Sequence, residues 1–505
     1  MNMIFQEGHS MCLYSVAAVL TGLMTVLILV KKMKSKVKIL KPSYDFDEST
    51  DPEILIVGGG VLGCTLATVL GRDGRKVTVL ERDMKEPDRI VGELLQPGGF
   101  NALKELGLAD CCEGLDAHVT KGYMVHDIET KRSVHVPYPQ DKDGNILCGR
   151  AFHHGRFIMN LRKAAQAEPK VTFVEGTAIT MIEDNGTVTG MKFKRKDADQ
   201  MEELHAPLTV IADGCFSKFR KHLVNETVRV PSQFVGVLMK DCPQAKANHA
   251  EIALADKNLA LIYQISSKCT RILVDVRGPK PTNMKEHMKE NVAPYLPEHV
   301  QPAFLEEVET GRMRVMPNSF LPAAPLEKPG VMVLGDALNM RHPLTGGGMS
   351  VVFNDVLLWR DLFKSLPNTK DYSAILSALR TFNRERKQHH SFVVNVLAQA
   401  LYQLFSATSE DENVHAMKLA CFEFFCLGEE WVRRPVELLS ILNPKPHLLI
   451  GYFFLVAFYS FFHIFKKNPW WALHRSVYKS VMVLFKSCHI MFPLVWSELN
   501  TLIFS

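Results

Sequence analysis

An α/β fold is predicted for this chain, from three features. A short apolar run, Ile54-Leu55-Ile56-Val57, ends in the glycine turn Gly58-Gly59-Gly60-Val61-Leu62-Gly63. Far downstream a second run, Gly330-Val331-Met332-Val333-Leu334, ends in Gly335-Asp336, followed by Gly346-Gly347-Gly348. Beyond about residue 370 the pattern turns helical and increasingly apolar.

The first run has the β-branched, leucine-rich character of a buried parallel strand. Val61, Leu62, Leu66, Ala67, Val69 and Leu70 give the packing face of a helix, and Lys76-Val77-Thr78-Val79-Leu80 gives a second strand. In this βαβ unit Gly58 permits the tight turn, Gly60 lets the backbone approach a pyrophosphate, and Gly63 lets helix and strand pack closely. Glu81 closes the second strand, where a carboxylate accepts from a ribose hydroxyl and repels the extra phosphate of NADP.

At the downstream turn, Asp336 suits a ribityl hydroxyl. The free backbone N–H groups of the glycines around Gly347, ahead of the helix that Met349 begins, suit negative charge on a reduced ring. Between these ends Leu208-Thr209-Val210-Ile211 runs into Ala212-Asp213-Gly214, a third strand-to-turn junction. Two glycine turns gripping one extended molecule point to a flavin dinucleotide.

The chain has 505 residues, 47% of them apolar, enough for a large core in two or three domains. Its 59 basic and 54 acidic residues leave +5, a modest excess carried largely by a lysine cluster, which suits an anionic membrane face and not nucleic acid. His153-His154 are adjacent and point apart. No HExxH or paired CxxC is present, and Cys111-Cys112, Cys421 and Cys426 lack zinc spacing, so no metal is expected. Eleven cysteines fit a reducing, cytosol-facing location.

Met11 to Val30 carries no charge and is followed by Lys31, Lys32, Lys34, Lys36, Lys38 and Lys41. As a helix it would span about 30 Å of hydrocarbon with its C-terminal side in the cytosol, an uncleaved anchor. Leu448 to Phe465 lacks Lys, Arg, Asp and Glu and is long enough to span. After Trp470-Trp471, Lys479 and Lys486 among apolar residues suggest segments lying in the membrane interface.

The order GxGxxG with Glu81, then Ala212-Asp213-Gly214, then Gly335-Asp336 resembles the flavoprotein monooxygenases related to para-hydroxybenzoate hydroxylase. DRIVGELLQPGG from Asp88, GYMVHD from Gly122, GRAFHHGRFIMNLRKA from Gly149, ADGCFSKFRK from Ala212 and LGDALNMRHPLTGGGM from Leu334 are similar, more specifically, to the squalene epoxidases. The resemblance runs from about Pro52 to near the C-terminus. It implies an FAD-binding domain of the GR2 type, a mixed antiparallel-sheet substrate domain and a helical, membrane-associated C-terminal region. The divisions are residues 1–51, anchor and linker; 52–165 and 331–365, the FAD domain; 166–330, the substrate domain, with an FAD-contacting return near 208–220; and 366–505, a helical cap and membrane helices.

The same resemblance implies FAD contacts from Val61, Leu62, Glu81, Arg82, Arg89, Leu94, Arg162, Ala178, Asp336 and Met349. Arginines suit pyrophosphate through paired donors, although Arg162 taken alone also reads as a solvated helix residue. Tyr123 is implied as the catalytic residue beside the flavin, partnered by Gln96, with an orienting role favoured over proton transfer because a free phenol titrates near ~10. Leu344, Phe405, Phe422 and Phe425 are implied to line the substrate pocket. The implied reaction is epoxidation of squalene to its (S)-2,3-epoxide by dioxygen through a flavin 4a-hydroperoxide, in sterol biosynthesis at the endoplasmic reticulum membrane. Electrons would come from NADPH through a microsomal flavoprotein reductase, since the one complete GxGxxG unit is taken by FAD. Two other readings of the fold remain open, a flavin-dependent isoprenoid reductase and a non-enzymatic prenyl-lipid carrier. Leu94 stands where the family pattern has an aromatic residue, and Tyr452 where it has a polar one.

Overall fold

The computed structural model describes residues 39–503 apart from Asp197, Asn225 and Pro325. The anchor expected over Met11 to Val30 lies outside the described residues.

A five-stranded parallel sheet runs in spatial order Val331–Val333, Leu208–Ile211, Ile54–Val57, Val77–Glu81 and Val171–Glu175. Its central strands are buried along almost their whole length, which is why they read as unbroken apolar runs. The helices Val61–Arg72, His154–Gln166 and Gly348–Lys364 pack together beside it. Three ladder bonds carry the pairing one residue past the strands: Gly58 N to Leu80 O (2.9 Å), Ala212 N to Val57 O (2.8 Å) and Leu334 N to Ile211 O (3.0 Å). Gly58, Glu81, Asp213 and Gly335 therefore gather at the carboxyl ends of neighbouring strands, where α/β sheets hold ligands.

Thr177–Asp184, Thr187–Lys194 and Met201–His205 form a three-stranded meander. Its first hairpin turns at Asn185-Gly186, with φ of 52° and 78°, both residues left-handed as a two-residue hairpin requires. Val188 N bonds Pro329 O at 3.0 Å, just ahead of Val331–Val333, and Thr187–Lys194 packs against Leu208–Ile211, so this meander stays with the nucleotide-type sheet and not with the second sheet.

The second large sheet has seven strands, in order Arg314–Phe320, Arg229–Lys240, Cys269–Arg277, Leu259–Gln264, Ala250–Leu254, Gly122–Asp127 and Arg132–Pro137. The sequence predicts strands around Phe234 to Met239, Leu259 to Ile265 and Arg271 to Val276, and the structure has all three, within Arg229–Lys240, Leu259–Gln264 and Cys269–Arg277. The hairpin Gly122–Pro137 joins them from within the segment assigned above to the FAD domain. Its polar His126, Asp127, Arg132, Ser133 and His135 hide the alternation, and its partner Ala250–Leu254 lies far away in sequence, pairing in parallel with Tyr123 opposite Ala250.

Helices follow, with two breaks that the helical spacing over Ala374 to Phe405 and Val414 to Trp431 conceals. Tyr372–His389 is capped by Asp371, whose carboxylate accepts from Ser373 N and Ala374 N, and Ser391–Phe405 begins after His390. His390 is buried with Nε2 2.8 Å from Asp355 Oδ1, a contact that fixes the junction. Glu412–Phe425 and Glu429–Leu439 part at Gly428, where φ is 110°.

Two long helices close the chain, Pro446–Lys467 and Leu473–Ile503, with mean hydropathies of 2.0 and 1.4 over their apolar portions. Both are long and apolar enough to cross a membrane. Lys479 and Lys486, expected to mark a face in the interface, turn to the protein body, pairing with Glu412 (3.1 Å) and Asp411 (2.8 Å). They sit one face away from the outward apolar side chains.

Candidate active site

One cavity of about 430 Å³ opens between the carboxyl ends of the parallel sheet and the inner face of the seven-stranded sheet. Gly58, Gly60, Val61, Leu62, Glu81, Arg82, Arg89, Arg162, Ala178, Asp213, Asp336 and Met349 line one part of it. Leu94, Tyr123 and Leu344 line it together with Leu261, Tyr263, Leu273 and Met316, an apolar wall supplied by the second sheet. Gly63 and Gly347 stand behind the lining. A Cβ on Gly63 would lie 1.9 Å from Gly58 O, and one on Gly347 would lie 2.6 Å from Val394 Cγ1, so both serve close packing. Phe405, Phe422 and Phe425 are also outside the lining, in the apolar cluster that includes Tyr123 and Leu344. Phe422 lies under the Arg132 guanidinium, 5.5 Å from ring to Cζ.

Arg162 is buried, which removes the solvated-helix reading. Its Nε donates to Gly59 O (3.0 Å) and its Nη1 to Lys85 O (3.0 Å), while Gly59 N donates to Glu81 Oε2 (2.5 Å). The arginine braces the glycine turn and the segment after Glu81 against each other. His154, also in the lining, is pushed down to about 4 by burial, so its imidazole is neutral and donates Nδ1–H to Gly92 O at 2.9 Å. Among the described residues no group of three or more His, Cys, Asp or Glu side chains is placed to hold a metal ion.

The cavity has the marks of a cradle for a dinucleotide. A Cβ added to Gly60 or to Gly348 would meet no protein atom within 4 Å, so at both glycine turns the backbone lies bare to the cavity. Asp213 Oδ1 is buried without a hydrogen-bond partner, and burial pushes that carboxyl's pKa up, the state of an acceptor with nothing yet to accept from. The helix Gly348–Lys364 starts at the same place, presenting its free N–H groups. These residues fit FAD.

At the apolar end Gln96 is fully buried and touches three groups. Its Nε2 donates to Tyr123 Oη (2.6 Å) and to Thr345 O (2.7 Å), and its Oε1 accepts from Tyr138 Oη (2.7 Å). The two phenol oxygens lie 3.1 Å apart, with the rings edge to face. Burial raises the Tyr123 pKa above 10, and its hydrogen-bonded contacts with Tyr138 and Gln96 do not cancel that rise, so the phenol is neutral. Sequence reasoning missed Tyr138. It continues the alternation of Val134 and Val136 on the face that pairs with Tyr123, and that period was the available signal. Also missed was Glu93, a cavity-lining carboxylate held in two hydrogen bonds by Arg271 (2.8 and 3.0 Å).

This sheet pair, with a cavity running from the glycine turns to the second sheet, is the fold of the flavoprotein monooxygenases. The chain is similar in structure to p-nitrophenol 4-monooxygenase PnpA of Pseudomonas putida, with a TM-score of 0.64 at 16% identity over 78% of this chain and 99% of that one. It is similar also to PqsL of Pseudomonas aeruginosa, described as a probable FAD-dependent monooxygenase, with a TM-score of 0.60 at 20% identity over 72% of this chain and 99% of that one. The squalene epoxidase family profile matches residues 205–478. Squalene monooxygenase of Mus musculus is 56% identical over 454 residues, 90% of this chain and 79% of the mouse protein. The chain belongs to the squalene epoxidase family.

Proposed function

We propose that this chain is a membrane-associated monooxygenase that inserts one oxygen atom of dioxygen into a terminal double bond of squalene, giving (S)-2,3-epoxysqualene, with FAD as resident cofactor. The observation that carries the reading is the continuity of one cavity from bare glycine turns to an apolar wall. When bound, FAD supplies the oxygen activation that amino-acid side chains lack.

The protein's part is binding, orientation and exclusion of water. Gly58, Gly60 and Arg89 would hold the pyrophosphate, Glu81 and Arg82 the adenosine side, and Asp213 and Asp336 the hydroxyl chain, all of them lining the cavity. Arg162 acts through Gly59 and Glu81, keeping the turn in shape for these contacts. Leu261, Leu273, Met316 and Leu344 hold an alkene out of water, where moving a methylene from water is worth about 0.8 kcal/mol. A dry pocket also strengthens the hydrogen bond that Tyr123 offers to oxygen. Glu93 with Arg271, paired within the pocket wall, keep their charges mutually satisfied there.

The electrons come from NADPH through a separate flavoprotein reductase of the endoplasmic reticulum, and the substrate comes from the lipid. The exposed apolar faces of Pro446–Lys467 and Leu473–Ile503 support collection from a membrane. The full chain, reconstituted with FAD in liposomes with such a reductase, NADPH and radiolabelled squalene, is expected to yield the 2,3-epoxide with matching oxygen consumption. Tyr123→Phe is expected to lower kcat at least about tenfold at unchanged FAD content, the scale of a hydrogen bond made mainly in the transition state. Saturated product without oxygen consumption would replace this reading with an isoprenoid reductase. Protein that cannot be loaded with FAD would replace it with a lipid carrier.

A further inference from the structure

The hydrogen bonds around Gln96 can be assigned by counting donors. Thr345 O can only accept, so the amide nitrogen of Gln96 must lie on that side, at 2.7 Å. The second hydrogen of the same nitrogen points at Tyr123 Oη, 2.6 Å away. Gln96 Oε1 is then on the far side, facing Tyr138 Oη at 2.7 Å. An amide oxygen has no proton to give, so Tyr138 must donate here, and a phenol has one proton. The 3.1 Å between the two phenol oxygens can therefore be bridged only by the proton of Tyr123.

Tyr123 thus accepts from Gln96 and keeps its own proton free for one of two directions. One leads to Tyr138. The other leads into the cavity, which Tyr123 lines and Tyr138 does not. Tyr138 is buried, fixed by Gln96 and packed edge-on to the Tyr123 ring at 5.6 Å, so its oxygen is a stationary acceptor. Squalene has no atom to compete for that proton. Its epoxide has one.

We propose that Tyr138 is a positioning residue that holds the Tyr123 proton in a resting hydrogen bond and yields it to an oxygen acceptor in the cavity, making Tyr123 an oxygen-sensing donor that distinguishes oxygenated ligand from hydrocarbon. The inference rests on the function proposed above and deepens it. Exchanging one phenol acceptor for another costs little, whereas leaving the proton without a partner in a dry pocket costs the desolvation of the group. Tyr138 therefore keeps Tyr123 satisfied while squalene is bound and sets how firmly the oxygenated product is held.

The test is binding of squalene and of 2,3-epoxysqualene to the oxidised FAD-loaded full chain, read from perturbation of the flavin absorbance. Tyr138→Phe keeps the packed ring but removes the acceptor for the Tyr123 proton. It is expected to tighten the epoxide by about two- to tenfold, the worth of one net hydrogen bond, and to leave squalene unchanged. Tyr123→Phe is expected to weaken the epoxide by a similar factor, and Tyr138→Phe in that background to change nothing. Tyr138→Met, which lacks the same acceptor, replaces the phenylalanine variant if that protein fails to fold. Equal shifts for the two ligands, an unchanged epoxide affinity, or the same Tyr138 effect with and without the Tyr123 hydroxyl would overturn the proposal. A parent protein that binds epoxide but not squalene overturns the substrate reading alone, and one that binds neither overturns both.

Discussion

Gly63 faces the carbonyl oxygen of Gly58 so closely that a methyl group on it would lie 1.9 Å from that oxygen, far inside contact distance. Gly60, between them in the same turn, faces open cavity. The two positions therefore separate folding from cofactor binding. Gly63→Ala forces the helix Val61–Arg72 off the turn and is expected to lower the melting temperature by several degrees or leave the protein insoluble. Gly60→Ala adds a methyl group only where the cofactor would lie. Its expected result is an unchanged melting temperature without FAD and an FAD affinity at least about tenfold weaker, because the methyl group holds the pyrophosphate away from the backbone. Thermal melts and FAD fluorescence titrations check both, and parental affinity in Gly60→Ala would mean that the pyrophosphate lies elsewhere.

Glu251 joins three parts of the second sheet's outer face. Its carboxylate accepts from His126 Nε2 (2.9 Å), His299 Nε2 (3.0 Å) and Ala245 N (2.9 Å). Burial pushes its pKa up, but the hydrogen bonds from His126, His299 and Ala245 prevail and bring it to about 2, against an ordinary 4.5. A depressed carboxylate stabilises the fold above the unfolded value and loses that contribution as pH falls through the folded one. Glu251 should therefore contribute about 3 kcal/mol that disappears between pH 4.5 and about 2. The hydrogen bond to Glu251 raises the His299 pKa more than burial lowers it, and that contribution is present below 6.5 and fades as pH rises through the raised value. The clamp is strongest between about pH 4.5 and 6.5. Denaturant unfolding of Glu251→Gln at a series of pH values is expected to show lower stability at pH 6 and a flatter acid limb; an acid limb as steep as the parent's would assign that titration to another group.

The nucleotide-type half was legible because its signals are local. Ile54–Val57 and its glycines lie in one short window, as do Val331–Val333 with Asp336 and the Asn185-Gly186 hairpin. The chemistry at the apolar end was less legible because it depends on pairing between distant segments. Gln96 is brought to Thr345 across 249 residues and Glu93 to Arg271 across 178, and neither partner carries a local pattern that announces the other. Arg162 was ambiguous for the same reason, since a helix that is polar by composition hides one buried arginine until its acceptors at Gly59 and Lys85 are placed. The helix break at His390 likewise follows from a contact with Asp355, not from a glycine or proline.

The last helix, Leu473–Ile503, has two faces with different destinations. Ser480, Val483, Ser487, Ile490 and Met491 are buried against the protein, and on the same side Lys479 and Lys486 reach Glu412 and Asp411. On the other side Tyr478, Val481, Phe485, Phe492 and Trp496 are exposed, and on the preceding helix so are Phe458 and Phe462. With Lys479 and Lys486 paired to carboxylates of the body, the outward face from Tyr478 to Trp496 carries no other charged side chain, and its apolar side chains suit a lipid surface. Each phenylalanine moved from water into the membrane is worth about 1.5–3 kcal/mol, or roughly tenfold or more in partitioning. In protein beginning at Ile39, so that the expected anchor Met11 to Val30 does not hold the vesicle, Phe462→Ser with Phe485→Ser is expected to lower binding to phosphatidylcholine vesicles by at least about a hundredfold at unchanged melting temperature, read by flotation. Because the attraction is apolar, raising the salt to about 1 M should leave parental binding intact, whereas attachment through the basic residues would be screened at a Debye length of about 3 Å. Vesicle binding that survives the double substitution but falls with salt would move the membrane contact from these aromatic faces to a charged surface.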